Sequence, residues 1–61
     1  MRIYDVNFAH IRYGENWSRE RVAVRGFVKE AIKKAEQQGD VKKWNGKLRV
    51  VSVELVASTN R

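Results

Sequence analysis

Sixty-one residues, 43% of them hydrophobic and 33% charged, with a net charge of +6, make one small domain with enough apolar material for a thin core and too much for a disordered tail. The absence of cysteine excludes disulfides and thiolate-bound metal, and the single histidine, His10, would need several carboxylates to complete a zinc site. A chain this short therefore takes its stability from a compact core with aromatic anchors or from self-association.

The charge is uneven along the chain. Residues 1–18 hold Arg2, Arg12, Asp5 and Glu15, which cancel, so the whole positive excess follows residue 18. Such a field attracts polyanions: nucleic acid, anionic lipid or an acidic protein face. A soluble, lysine-rich surface is the plainer reading of the same numbers.

In chain order, residues 2–13 read as a strand. Tyr4, Val6, Phe8 and His10 fall on one face at period two, and Asp5, Asn7 and Ala9 on the other. Ile3, Ile11 and Tyr13 are out of phase, which points to a bulge or an irregular edge. Gly14-Glu15-Asn16 predicts a turn. Residues 19–25 alternate again, with Glu20, Val22 and Val24 against Arg19, Arg21, Ala23 and Arg25. This is a half-buried strand with an arginine-lined outer face, and it makes a hairpin with the first. A second reading runs one helix from 19 to 38, capped by Ser18. It places Gly26 inside the helix at a cost of about 1 kcal/mol relative to alanine, and it leaves a two-stranded sheet with a poor core. The strand reading is preferred.

Residues 27–38 read as a helix, because Phe27, Val28, Ala31, Ile32 and Ala35 form one apolar stripe. Glu30 and Lys34 are a favourable i,i+4 pair, and Gly39 is a natural stop. Val41-Lys42-Lys43-Trp44 precedes Asn45-Gly46, the strongest two-residue hairpin signal, and Lys47-Leu48-Arg49-Val50 follows. A short extra hairpin is predicted there. In the final strand Val51, Val53, Leu55 and Ala57 alternate with Ser52, Glu54 and Ser58, and residues 58–61 read as a frayed tail. The expected fold is α+β: a three-stranded, or with the extra hairpin four-stranded, antiparallel-rich sheet with one amphipathic helix on one face, in the order β-β-α-β. The expected core is Tyr4, Val6, Phe8, Val22, Val24, Phe27, Val28, Ala31, Ile32, Ala35, Val51, Val53 and Leu55.

Catalytic material is scarce. Beyond His10 and scattered serines there is no set for nucleophilic catalysis, and the four glycines are isolated, so no phosphate loop forms. Asp5 and Glu54 could meet as a carboxylate pair, though nothing in their spacing favours this over a solvated surface pair. No catalytic, metal or cofactor site is expected. Basic and aromatic residues coincide in two regions: Arg12, Tyr13, Trp17, Arg19, Arg21 and Arg25, and then Lys42, Lys43, Trp44, Lys47 and Arg49. Lysine and arginine neutralise phosphates, and flat rings stack on unpaired bases. The same residue types anchor protein interfaces. The structural alternative is that Trp17 and Trp44 merely close the ends of a thin core.

No stretch is long and apolar enough to span a bilayer, and the apolar stripe of the helix is needed for the core, so no membrane partner is expected. The N-terminal Met1-Arg2-Ile3-Tyr4-Asp5 has no signal-like apolar run, which gives a cytoplasmic expectation. The layout of Arg21-Val22-Ala23-Val24, Lys29-Glu30-Ala31-Ile32-Lys33-Lys34-Ala35 and Leu48-Arg49-Val50-Val51-Ser52-Val53-Glu54-Leu55 resembles small phage-borne proteins built from a hairpin, a helix and a closing strand, among them phage inhibitors of host RNA polymerase and some small anti-CRISPR proteins. It rests on periodicity and carries over no functional residue. It implies a stoichiometric, non-enzymatic binder that blocks or redirects a host protein or ribonucleoprotein machine. Direct DNA or RNA binding is the alternative, and a homo-oligomer is open because a three-stranded sheet leaves edges uncovered.

Overall fold

The computed structural model describes residues 1–44 and 46–59, the side chains of Glu15, Asn16 and Asp40 excepted. Strand β1 (Arg2–His10) is followed by β2 (Gly14–Val24), helix α1 (Val28–Ala35), a short helix α2 (Gly39–Lys43) and β3 (Leu48–Ser58). The strands form one antiparallel sheet in the order β2-β1-β3. The β-β-α-β order and the α+β class are those predicted, with three strands among the described residues.

The alternation in β1 works as read. Tyr4, Val6 and Phe8 point to the α1 side and are buried. As the central strand, β1 is also covered laterally, and Asp5 and Ala9 on the opposite face are buried too. The strand ends at His10, three residues before the predicted limit, and 11–13 form the turn. Gly14 then opens β2 at φ +95°, a conformation that glycine takes without steric penalty. β2 therefore starts earlier than predicted, and Gly14-Glu15-Asn16 lie in the strand instead of the turn. Val22 and Val24 enter the core, and Arg19 and Arg21 lie on the face without a helix. The long-helix alternative for 19–38 is overturned by this pairing.

Helix α1 is shorter than predicted. Ala31 and Ala35 are its buried residues, and their small side chains let the helix axis approach the sheet closely. Arg2 closes the β2–α1 connection: its Nη1 donates to the Arg25 carbonyl at 2.9 Å, and its guanidinium carbon lies 4.3 Å from the Phe27 ring centroid. Gly39, at φ +47°, lets the chain turn into α2.

Here the fold departs from the sequence reading. Val41, Lys42 and Lys43 are helical, with no strand preceding the Asn-Gly pair. Val41 is the one apolar side chain of α2, and the helical turn drops it into the core while Lys42 and Lys43 stay in water. An isolated apolar residue gains nothing from the alternation of a strand. The Lys47 N–H donates to the Trp44 carbonyl at 2.9 Å, so this turn joins α2 to β3, and no extra hairpin forms among the described residues. Asn45 lies outside the described residues.

Two bulges interrupt β3. Asn7 pairs with Ser52 and Phe8 with Val50, leaving Val51 extra; Tyr4 pairs with Leu55 and Ile3 with Ala57, leaving Val56 extra. Leu48, Val50, Val53 and Leu55 therefore share the α1 side, and Arg49, Ser52, Glu54 and Ala57 the other. Helix α1 packs mainly over β2 and β1. The core comprises Tyr4, Val6, Phe8, Val22, Val24, Ala31, Ala35 and Val41, with Ile32, Leu48, Val50 and Val53 packed against it. Four expected core residues are exposed: Phe27 and Val28 at the start of α1, Val51 at its bulge, and Leu55, 56% exposed, beyond the reach of the helix. At the predicted frayed tail, Ser58 pairs with Arg2, and the Thr59 N–H donates to the Met1 carbonyl at 2.8 Å. Asn60 and Arg61 lie outside the described residues.

Candidate functional site

The two basic-aromatic regions, 12–25 and 42–49, are well apart in sequence, and the fold brings their aromatic members together. β1 ends at His10, β2 returns past it with Trp17, and the α2–β3 turn presents Trp44. The His10 ring centroid lies 4.5 Å from Tyr13, 5.0 Å from Trp17 and 6.0 Å from Trp44. Tyr13 stacks on Trp17 with an interplanar angle of 21°, and Trp17 meets Trp44 edge-on at 5.8 Å. Offset stacks and edge contacts at these separations are favourable for aromatic quadrupoles.

His10 organises this end of the sheet. It is buried, and its Nδ1 accepts hydrogen bonds from the backbone N–H groups of Arg12 at 3.0 Å and Tyr13 at 3.3 Å. An accepting Nδ1 puts the proton of the neutral ring on Nε2. The bonds fix the 11–13 turn, which in turn holds Arg12 and Tyr13 outward.

Beside the cluster is a cleft of about 310 Å³, lined by His10, Ile11, Arg12, Tyr13, Trp44, Gly46 and Lys47. Tyr13, 68% exposed, stands at its rim. Trp17 is 40% exposed and also borders a shallower depression on the helix-free face, with Asn7, Ser18 and Arg19. Trp17 and Trp44 thus pack on neighbours and still present surface to solvent. Lys42 and Lys43 are exposed in the last turn of α2, just before Trp44. Arg49 is exposed on the helix-free face opposite Ala9, at the same end of the sheet.

The arginine row on β2 is different in kind. Arg21 makes a bidentate pair with Asp5, Nε to Oδ1 at 2.8 Å and Nη2 to Oδ2 at 3.1 Å. This hydrogen bonding to Arg21 holds the Asp5 carboxyl below the usual carboxylate range against the opposing effect of desolvation. The same bond, with the Asp5 charge, raises the Arg21 guanidinium further. Arg19 Nε donates to Asn7 Oδ1 at 2.8 Å, and Asn7 Nδ2 donates to Ser52 Oγ at 3.0 Å, a chain of bonds across all three strands. Arg25 lies past the end of β2, at the opposite end of the sheet.

Of the ten candidate binding residues, Arg12, Trp17, Trp44 and Lys47 are gathered around the cleft, with Lys42, Lys43 and Arg49 at the same end. Arg19 and Arg21 form polar cross-strand ties, and Arg25 stands apart. Asp5 and Glu54 are opposite each other on β1 and β3, but Asp5 is already engaged by Arg21. Among the described residues no group of three His, Cys, Asp or Glu could hold a metal ion, and no helix is long and apolar enough to cross a membrane. The hub role of His10 was missed from sequence; its only signal was its place at the end of an alternating strand, next to Tyr13.

No protein family, curated protein or solved structure matches the chain.

Proposed function

We propose that the chain is a small, non-enzymatic binding protein whose working surface is the His10 end of the sheet, and that this surface takes unpaired nucleic acid. The observation that carries the reading is Tyr13, stacked on Trp17 yet 68% exposed, at the rim of a cleft it shares with Arg12, Trp44 and Lys47. A ring held rigidly and left open to solvent is a platform for a base, and the flanking cations suit the phosphates on either side. The cytoplasm is the proposed compartment.

The test is quenching of tryptophan fluorescence by a short oligothymidylate or oligouridylate, with a duplex of equal length as control. Binding is expected to favour the single strand. If Arg12, Lys42, Lys43 and Lys47 neutralise four phosphates, log K should fall against log salt with a slope of about −3. Absence of binding at low salt ends this reading.

A second reading keeps one observation in its favour. Ile11 is exposed on the same rim. An apolar side chain there serves a protein partner better than a phosphate backbone. On this reading the surface engages a host protein or ribonucleoprotein machine, as the layout shared with phage-borne inhibitors implies. Retention of a partner protein after nuclease treatment, lost in an Ile11→Glu variant, would favour it over the first.

A further inference from the structure

We propose that β3 is a self-association edge, at which two copies pair β3 against β3 antiparallel, about a two-fold axis between Val51 and Ser52, to make one six-stranded sheet. β3 is eleven residues long and pairs with β1 on one side only, so its outer backbone N–H and C=O groups face away from the molecule. A long uncovered edge is a template for another strand. Leu55, Val51 and Val56 are exposed along it.

Charge and facing select both the occupant and the register. In an antiparallel pair, residues directly opposite each other share a face and their side chains interact. With Val51 opposite Ser52 of the second copy, Leu48 meets Leu55, Val50 meets Val53, and Arg49 meets Glu54. The first two pairs lie on the α1 side and the third on the helix-free side, so every pair matches in facing. Two-fold symmetry makes each pair twice. A regular strand could not do this, because members of these pairs are an odd number of residues apart and would lie on opposite faces. The bulge at Val51 puts Val50 and Ser52 on opposite faces, where a regular strand would put them on one, and so brings the two members of each of these pairs onto the same side.

Other registers are poorer. A slip of one residue sets Val50 against Glu54, and registers centred on Glu54 or Arg49 oppose like charges. On the other edge, β2, pairings centred on Arg19, Glu20 or Arg21 likewise set like charges against each other. Within one chain Arg49 and Glu54 are exposed, and their side chains make no hydrogen bond or ion pair among the described residues. Glu54 lies opposite Asp5, whose cation is Arg21. Arg49 of a second copy supplies the counter-charge that Glu54 lacks.

The experiment is sedimentation equilibrium of the full chain, free of nucleic acid, from micromolar to millimolar concentration, and so it is independent of the function proposed above. The expected mass rises toward twice the 7.1 kDa of one chain. Arg49→Glu and Glu54→Arg should each weaken the dimer by about tenfold or more, since each turns two attractive pairs into two repulsive ones. The double variant, with the charges exchanged, should restore it. Both positions are exposed, and circular dichroism checks that each variant is folded. A chain that stays monomeric throughout, as when a different protein covers this edge, overturns the proposal. So does a dimer indifferent to both single reversals, or one that the exchange fails to restore.

Discussion

Single residues carry three distinct kinds of energy in this fold. Asp5 is the clearest electrostatic case. Its folded-state pKa is depressed by Arg21, so the stability it contributes is full above the unfolded value of about 3.9 and is lost as pH falls through the lower folded value. The urea midpoint should therefore decline from near pH 4 downward, and Asp5→Asn should show a flatter acid limb than the parent chain. Ser18 is the opposite case. Its Oγ is buried with no hydrogen-bond partner among the described residues. Ser18→Ala removes an unsatisfied group and should be neutral or stabilising by up to about 1 kcal/mol in the same denaturation assay. Tyr13 belongs to neither class. Its ring is stacked on Trp17 yet 68% exposed, so Tyr13→Ala should lower stability only by the loss of an exposed aromatic stack, about 0.5–1.5 kcal/mol in the same assay. It should weaken single-strand binding by about 1–3 kcal/mol, whereas Arg25→Ala, at the far end, should have little effect.

At the scale of elements, the helix position decides which strand residues count. The stripe on α1 is legible from its spacing, but its width is not. Ala31 and Ala35 are buried because the helix sits over β2 and β1, and the same offset leaves Leu55 in water. Sequence periodicity could not reveal the offset, since Leu55 and Val53 have the same phase and similar hydropathy. The α2 segment was misread for a related reason. Asn-Gly marks a turn without saying what precedes it, and one apolar residue among lysines has no period. The two misplacements predict opposite outcomes. Val41→Ala should cost about 1.5–3 kcal/mol by lost burial and cavity formation, and Leu55→Ala should cost less than about 1 kcal/mol. Urea denaturation of the two variants at a concentration where the chain is monomeric tests the pair.

At the scale of the molecule, the shape is a narrow slab of 40 × 17 × 15 Å with one layer of helix over one sheet. So thin a core makes each buried residue a large fraction of the total stability. It also divides the surface by use. One face is tied by the Arg21–Asp5 pair and the Arg19–Asn7–Ser52 chain, one end holds the aromatic cleft, and one long edge is open. The net charge of +6 is thus not spread as a uniform basic face. Part of it is spent within the sheet, and much of the remainder stands around His10.

The amino-acid order alone determined the strand alternation of β1 and β2, the apolar stripe of α1, the β-β-α-β order and the scarcity of catalytic groups. Those are local properties, set by side-chain period and composition. Tertiary structure decided the rest. Only strand pairing could place Arg21 against Asp5 and convert two candidate cations into cross-strand ties. Only the return of β2 and the α2 turn could bring Trp17 and Trp44 to the same histidine. Only the register of β3 on β1 could create the bulge that makes its outer edge self-complementary. In each case the deciding contact joins residues distant in sequence, where no local pattern records it.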